Sequence, residues 1–572
     1  MNFNRFLKTL FIIIPPILLL IALRTSRIFD EKITNFEYFV TRLSPLYYLT
    51  LYFIVFVLSY FMFIKRSMGN SPFMVYYLLM FAFTLFGFPL SLFNYPFQTE
   101  LYKQAEVFYL LRRNTLSSSD SFGTTIFTTT FTQITGIGTF TSILYVLPVL
   151  MYILSALFMY CSIKMLTKES VAQYATLFFI SAFFEFFFTN RYAFAEPMYI
   201  LMILYCLKYY LSEKSSANSL IMVILFSSLT ITHIAFSTFT VFLLLCIVSI
   251  NFIGGMLGKR SQKTYGNILA LFITIFLSWN IFQWLDIVTC TYDLAMRLIT
   301  SIFQGILEIN VFGSLTRASP KLEYTMLTYG RAIEGSSALI IPIILLLYQF
   351  IKNRRGFSLY VPLSMFYAIN LAFIVLGIGW ITNSLRPYQL AITFAPFLTA
   401  LLMESLEKLD TPKARNILFK FLSVQTIVCL AIIVFLLWLP NLTYVGIPSK
   451  KIELIKFAAS HLPYRAQVYA VGWGEVDEGL FTTVLGDRRD LFTNVHELDS
   501  IGSYLLGNFE LENMSIPKNA YIYIDFSATR FELKYDLNIS SKIDKITSML
   551  ANEYDLNLVY NNFRYIIFQQ YL

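Results

Sequence analysis

The side chains able to do chemistry in this chain are few, and most stand at the ends of apolar runs. Glu100 lies in Thr99-Glu100-Leu-Tyr-Lys-Gln-Ala105, Glu196 ends Asn190-Arg-Tyr-Ala-Phe-Ala-Glu196 just before Pro197, and His233 closes Leu229-Thr-Ile-Thr-His233. Two cations hold comparable positions: Arg191, and Arg386 in Asn383-Ser-Leu-Arg386-Pro-Tyr, which has no acidic residue in its loop. A carboxylate in such a place can deprotonate an acceptor or hold a divalent ion. A guanidinium offers phosphate a planar fork of donors. Each residue also has a plain structural role: Glu100 as a solvated acid, Glu196 as a cap beside Pro197 at a helix start, His233 as a bonded packing histidine, and Arg386 as a cation reaching to the interface. Glu185 lies inside an apolar stretch and reads as a buried, hydrogen-bonded or protonated carboxyl. Glu106 and the pair Asp30-Glu31 read as solvated acids.

The elements that must position these groups are membrane spans. The chain has 572 residues, 57% apolar and 13% charged, against about 45–50% and about 25% for a soluble protein. That excludes a water-soluble enzyme, a coiled coil and a disordered chain. Its 58 Phe and 38 Tyr suit lipid-facing helices with aromatic belts. Apolar stretches near the roughly 20 residues a span requires predict thirteen helices at 7–23, 46–64, 72–93, 142–163, 171–188, 197–212, 218–232, 235–254, 267–284, 337–351, 358–379, 388–403 and 418–439. The first reads as a retained helix, since no small-x-small cleavage pattern precedes Arg24.

The loops between these spans alternate in charge. One set carries 18 basic and five acidic residues, the other 13 basic and 12 acidic. The positive-inside rule places the first set in the cytoplasm. The N-terminus is then cytoplasmic, the C-terminus extracytoplasmic, and the net charge of +9 reports topology instead of nucleic-acid binding. Two loops on the outer side, 94–141 and 285–336, are longer than connection requires. The first has a helical opening and an uncharged stretch Thr124–Thr139; the second contains Leu294–Leu307, which reads as a helix in the interface plane.

After Pro440 the apolar runs stop, and residues 441–572 hold 12 basic and 16 acidic residues. The expected fold is a polytopic α-helical membrane domain, 1–440, followed by a C-terminal external α/β soluble domain, 441–572. In the latter, Ile452–His461 has helical periodicity, Gln467–Val471 and Tyr521–Asp525 read as strands, and Asn557–Tyr560 with Arg564–Phe568 read as a hairpin. Three sequons, at Asn441, Asn513 and Asn538, permit external glycosylation. The five cysteines show no metal or disulfide spacing and read as helix-packing residues. No Walker loop, HExxH, Gly-x-Ser-x-Gly or dinucleotide fingerprint is present, and the cytoplasmic loops are too short to hold an ATPase, so a self-contained primary pump is excluded.

The order of these features resembles the GT-C class of integral-membrane glycosyltransferases, in particular archaeal-like members with an external C-terminal domain. The resemblance runs from about Asn94 to the end. It rests on Thr99–Ala105, Phe131-Thr-Gln-Ile-Thr-Gly136, Arg191–Pro197, Leu229–His233, Leu385-Arg386-Pro-Tyr, Ala458–Val468 and Leu558-Val-Tyr560. It implies a polyprenyl-phosphate-linked sugar donor entering from the membrane, with transfer at the outer face of the cell membrane. Glu100 and Glu196 would be the catalytic acids and the candidate ligands of a divalent metal (Mg or Mn), while Arg386, with Arg191 and His233, would bind substrate. Where this class commonly shows Asp-Glu or Asp-x-Asp, the chain has Thr99-Glu100. A lipid-linked sugar flippase or transporter, a ligase or polymerase of surface glycans, and a non-catalytic envelope scaffold remain alternative readings of the same pattern. Beyond lipid and donor, no protein partner is implied.

Overall fold

The computed structural model describes residues 3–26, 44–61, 71–92, 122–137, 142–183, 190–211, 215–256, 266–283, 339–351, 360–375 and 385–407, with the strands and a few helical residues of the C-terminal part. Thirteen helices fall among them: α1 Phe3–Thr25, α2 Pro45–Ser59, α3 Ser71–Ala82 continuing through a π turn Phe83–Gly87 to Phe88–Ser91, and α4 Phe122–Thr135. A π turn Ser142–Val146 opens α5, Leu147–Lys164; then come α6 Glu169–Phe183, α7 Asn190–Leu211, α8 Ser216–Thr232, α9 Ile234–Met256 and α10 Gly266–Gln283. The last three are α11 Leu339–Ile351, α12 Val361–Val375 and α13 Leu385–Glu407.

All but one of these helices coincide with an expected span. The exception, α4, forms inside the stretch read from sequence as an uncharged part of the first long outer loop, and the expected span 418–439 lies outside the described residues. A second difference concerns α7, expected from Pro197 but beginning at Asn190. Pro197 is thus an interior residue, and Arg191 and Glu196 belong to the first two turns of the helix, so Glu196 is not a cap at its start. Pro197 has no amide hydrogen to give the Ala193 carbonyl four residues back, so the first two turns of α7 are held without that bond.

The helices form one packed array. α1 lies on α2 and α2 on α3; α3 meets α5 and α6; α5 lies between α6 and α7; α8 packs on α7, α9 and α10; and α13 fits between α6 and α12. Aromatic rings fill many of the contacts, as where Phe226 of α8 stacks on Phe272 of α10 with centroids 4.1 Å apart. Outward faces are apolar too: Leu20 is 67% exposed, Phe56 63% and Ile351 70%. Such side chains on the perimeter of a helix array fit hydrocarbon and not water, and the chain is a multi-pass membrane protein. Among the described residues Leu147–Lys164 and Ile234–Ile253 are each long and apolar enough to cross a bilayer, and the other apolar stretches are shorter.

α1 shows how the array meets the demands of hydrocarbon. Pro15 and Pro16 lie inside it and lack the amide hydrogens that would bond the carbonyls of Phe11 and Ile12. Tyr77 of α3 donates its hydroxyl to the Phe11 carbonyl at 2.7 Å, and Tyr76 donates to the Ile12 carbonyl at 2.6 Å. Both acceptors orphaned by the diproline are therefore satisfied by two consecutive tyrosines of a neighbouring helix, where no water could do so.

At the opposite end of the chain, strands β1 Val468–Val471, β2 Val495–Glu497, β3 Tyr521–Asp525, β4 Leu556–Asn561 and β5 Tyr565–Gln570 form a sheet in the order β2-β1-β3-β5-β4. β1 is parallel to β2 and β3, and the terminal hairpin β4–β5 runs antiparallel, joining through β5. The expected strands and hairpin correspond to β1, β3, β4 and β5, while β2 had no strong sequence signal. Glu453, Phe457 and His461 are helical, and the His461 ring stacks on Phe457 one turn earlier with centroids 4.2 Å apart.

Candidate functional site

Glu196 is fully buried in the helix array. The hydroxyl of Thr393 on α13 lies 2.5 Å from its Oε1 and 3.1 Å from the carbonyl of Gln389. One hydroxyl proton faces both acceptors, and the shorter distance assigns it to Glu196 Oε1. The second oxygen, Oε2, has no hydrogen-bond partner among the described residues, nor do the hydroxyl of Tyr199 and Oε1 of Gln389. Tyr199 stands one turn after Glu196 on α7, and Gln389 one turn before Thr393 on α13. Three unsatisfied oxygens therefore belong to residues flanking a single interhelical hydrogen bond. Buried polar atoms left this way call for a partner such as water or a bound ion.

His233 occupies the one-residue break between α8 and α9 with extended backbone angles, φ −159° and ψ 112°. Its amide donates to the Leu229 carbonyl at 2.7 Å, ending α8, while its Nδ1 accepts from the Ala235 amide at 3.2 Å and caps the start of α9. Accepting at Nδ1 leaves the proton of a neutral ring on Nε2. The imidazole meets Phe236 edge-on at 5.2 Å, and Phe236 meets Tyr199 at 4.9 Å. One phenylalanine thus joins the His233 turn to the face of α7 that carries Glu196.

α4 closes over this end of the array. Gly123, in its first turn, lies so close to Thr232 that a Cβ there would come 2.4 Å from the threonine hydroxyl and 3.1 Å from its Cα, so a side chain would push α4 off the His233 turn. Phe127 of α4 meets Phe194 of α7, two residues before Glu196, with centroids 5.2 Å apart. Gly136 ends α4 at φ +69°, a left-handed conformation suited to glycine.

The backbones of Arg191 and Arg386 are the second residues of α7 and α13. Arg386 precedes Thr393 by seven residues, about 10 Å along the helix. Glu196 and His233 are thus brought into one neighbourhood, with Arg191 and Arg386 heading the two helices that the Glu196–Thr393 bond joins. Glu100, Glu106, Asp30, Glu31 and Glu185 lie outside the described residues, as do the three sequons and the outer-loop segment Leu294–Leu307. Among the described residues no group of three or more His, Cys, Asp or Glu side chains could hold a metal. Cys206 and Cys246 are buried free thiols and Cys161 is exposed; Cys290 and Cys429 lie outside the described residues. Thr393, Gln389 and Tyr199 were not anticipated as site residues.

No family model and no curated protein matches the chain. Among solved structures, ArnT from Cupriavidus metallidurans in the apo state is similar over 88% of this chain and 98% of its own, with 11% identity and a TM-score of 0.47. The same protein bound to undecaprenyl phosphate covers 86% of this chain and 97% of its own, with 11% identity and a TM-score of 0.48. The oligosaccharyltransferase of Archaeoglobus fulgidus, in complex with zinc and sulfate, covers 83% of this chain and 68% of its own, with 12% identity and a TM-score of 0.44.

Proposed function

We propose that the protein is a membrane glycosyltransferase that moves a sugar from a polyprenyl-phosphate donor to an acceptor at the outer membrane face. The observation that carries this reading is the hydrogen bond from Thr393 to Glu196, because it ties together the two helices that start at Arg191 and Arg386. The start of a helix offers unpaired amide donors and the positive end of the dipole, and an arginine in the same turn adds a guanidinium fork. Two such starts tied together within reach of a carboxylate suit a lipid phosphate leaving a sugar.

In the proposed reaction, the acceptor gives its proton to a carboxylate, Glu100 or Glu196, and attacks the anomeric carbon. The bond from that carbon to the phosphate oxygen breaks with its electron pair going to the phosphate. Arg386 and Arg191 hold the polyprenyl phosphate that departs, and His233 offers Nε2–H to the donor. Glu196, with Glu100 as a second carboxylate, would hold a divalent ion such as magnesium or manganese. Bound there, the ion would neutralise charge on the leaving phosphate.

Purified protein incubated with radiolabelled polyprenyl-phosphate sugars and a membrane extract should transfer label, and both Glu100→Gln and Arg386→Ala should abolish transfer. Unchanged transfer in Glu100→Gln would refute that residue as the base. Absence of transfer with any donor, together with movement of lipid-linked sugar across reconstituted vesicles, would favour a flippase.

The same reading has residues 441–572 forming one external domain, with the N-terminus in the cytoplasm. A cysteine introduced at Ser500 should react with an impermeant maleimide in intact cells. Reaction only after lysis would invert the topology and remove the outer-face site.

A further inference from the structure

An ionised carboxyl buried in a membrane helix array needs a counter-charge or several donors. Among the described residues Glu196 receives one hydrogen bond, from Thr393, and its Oε2 receives none. Its surroundings add oxygens where donors are wanted. Oε1 of Gln389 and the hydroxyl of Tyr199 are buried without a hydrogen-bond partner among the described residues, and so is Oδ1 of Asn370 on α12.

The pairing of α12 with α13 brings that asparagine to the level of the other three. Tyr360 donates its hydroxyl to the Leu401 carbonyl at 3.4 Å, and Phe366 meets Phe394 edge-on with centroids 4.8 Å apart, so the two helices run antiparallel. Asn370 stands one turn beyond Phe366 on the same face of α12. One turn back from Phe394 on α13 is Leu390, the neighbour of Gln389. Asn370 is fully buried, and its amide nitrogen is spent on the Phe366 carbonyl at 2.8 Å, which leaves its oxygen to give. α9 walls this region with rings: Phe236 lies against Tyr199 at 4.9 Å and Phe239 against Phe366 at 6.5 Å.

Four orphaned oxygens, on α7, α12 and α13, therefore stand at one depth. One belongs to a carboxylate, two are amide carbonyls that only accept, and the phenol can accept as well. Hard oxygens around a single negative charge match a cation of charge +1, whereas a divalent ion would call for a second carboxylate.

We propose that Glu196, Gln389, Asn370 and Tyr199 bind an alkali cation, sodium or potassium, between α7, α12 and α13. The inference rests on the reading of Glu196 as an ionised group, and it draws on oxygens that the proposed reaction leaves unused. The ion keeps the carboxylate charged in a dry interior, as a general base must be before it takes a proton. It also ties three helices together, so its loss is read as lost stability.

Thermal unfolding of the full-length protein in detergent tests the site without a transfer assay. Unfolding would be compared in sodium chloride, potassium chloride and N-methylglucamine chloride at equal ionic strength. A midpoint higher by a few degrees in an alkali salt, saturating with its concentration, is expected, because an ion that binds only the folded state stabilises it. Glu196→Gln should abolish that dependence and Asn370→Leu should weaken it, while Glu404→Gln, at the far end of α13, should keep it. Equal midpoints in the three salts would overturn the proposal, as would an ion dependence that survives in Glu196→Gln. Where neither site variant folds, the parent protein equilibrated with radioactive sodium or rubidium decides: retention of a displaceable ion is expected, and retention of none refutes the site. A stabilising ion in a protein that transfers no sugar would keep this site and remove the proposed function; transfer with no ion effect would do the reverse.

Discussion

Glu196→Gln is expected to yield a folded protein whose sugar transfer is slowed by about 10²- to 10⁴-fold, the usual contribution of a positioned general base. Glutamine keeps the shape of the side chain and an oxygen that can accept from Thr393, so the tie between α7 and α13 survives while the proton acceptor is lost. Thr393→Val separates the two roles. It removes the hydroxyl donor to Oε1 and leaves a buried carboxyl with no described donor at either oxygen, which should cost about 1–3 kcal/mol. Thermal unfolding in detergent should therefore show a loss for Thr393→Val and little change for Glu196→Gln, while a transfer assay shows a large loss for Glu196→Gln. Full transfer in the glutamine variant would remove Glu196 as the base and leave that role to Glu100.

The second large effect is expected at the other end of the array. Tyr76→Phe and Tyr77→Phe change one atom each, yet each strips the donor from a carbonyl that Pro16 or Pro15 has already orphaned. Within the bilayer no water replaces it, and an unpaired buried acceptor costs about 1–3 kcal/mol. The cost should be greater for Tyr77, whose side chain is fully buried, and the double variant should approach the sum of the two. Restoring the amide donors by Pro15→Ala and Pro16→Ala should recover most of that loss, because the helix can then satisfy its own carbonyls. Equal stability of the double phenylalanine variant and the parent, measured by denaturant unfolding in detergent, would show that α1 contributes little to the array.

Much of the array was legible because a spanning helix announces itself by length and hydropathy, as Leu147–Lys164 and Ile234–Ile253 do. α4 was not, because its seven threonines dilute the apolar signal to that of a loop. The pattern was nonetheless present: Thr124 and Thr128, then Thr125, Thr129 and Thr132, recur at helical spacing with Ile126, Phe127 and Ile134 on the opposite side. Reading Pro197 as a helix start hid the upstream turns of α7 and made Glu196 look like a surface cap. His233 was legible as an end-of-helix residue, and its role as a cap for both neighbours follows from its chemistry. The bond to Thr393 was beyond the sequence, since 197 residues separate the partners and threonine is common on membrane helices. Glu196 drew attention as an acid, but its partner Thr393 and the neighbouring Gln389 and Tyr199 carry no charge.

The turn between α5 and α6 is fastened in two directions. Lys164 Nζ lies 3.3 Å from Glu169 Oε2, and Tyr160 donates its hydroxyl to Oε1 of the same glutamate at 3.3 Å. The backbone amide of Lys168 donates to Glu404 Oε2, in the last turn of α13, at 3.2 Å. α6 and α13 are therefore stapled at the end where the basic residues gather, like two fingers bound at the knuckle. Both ties sit at exposed side chains, where an ion pair contributes little stability, so their effect is to seat the turn on the last turn of α13 and not to hold the array together.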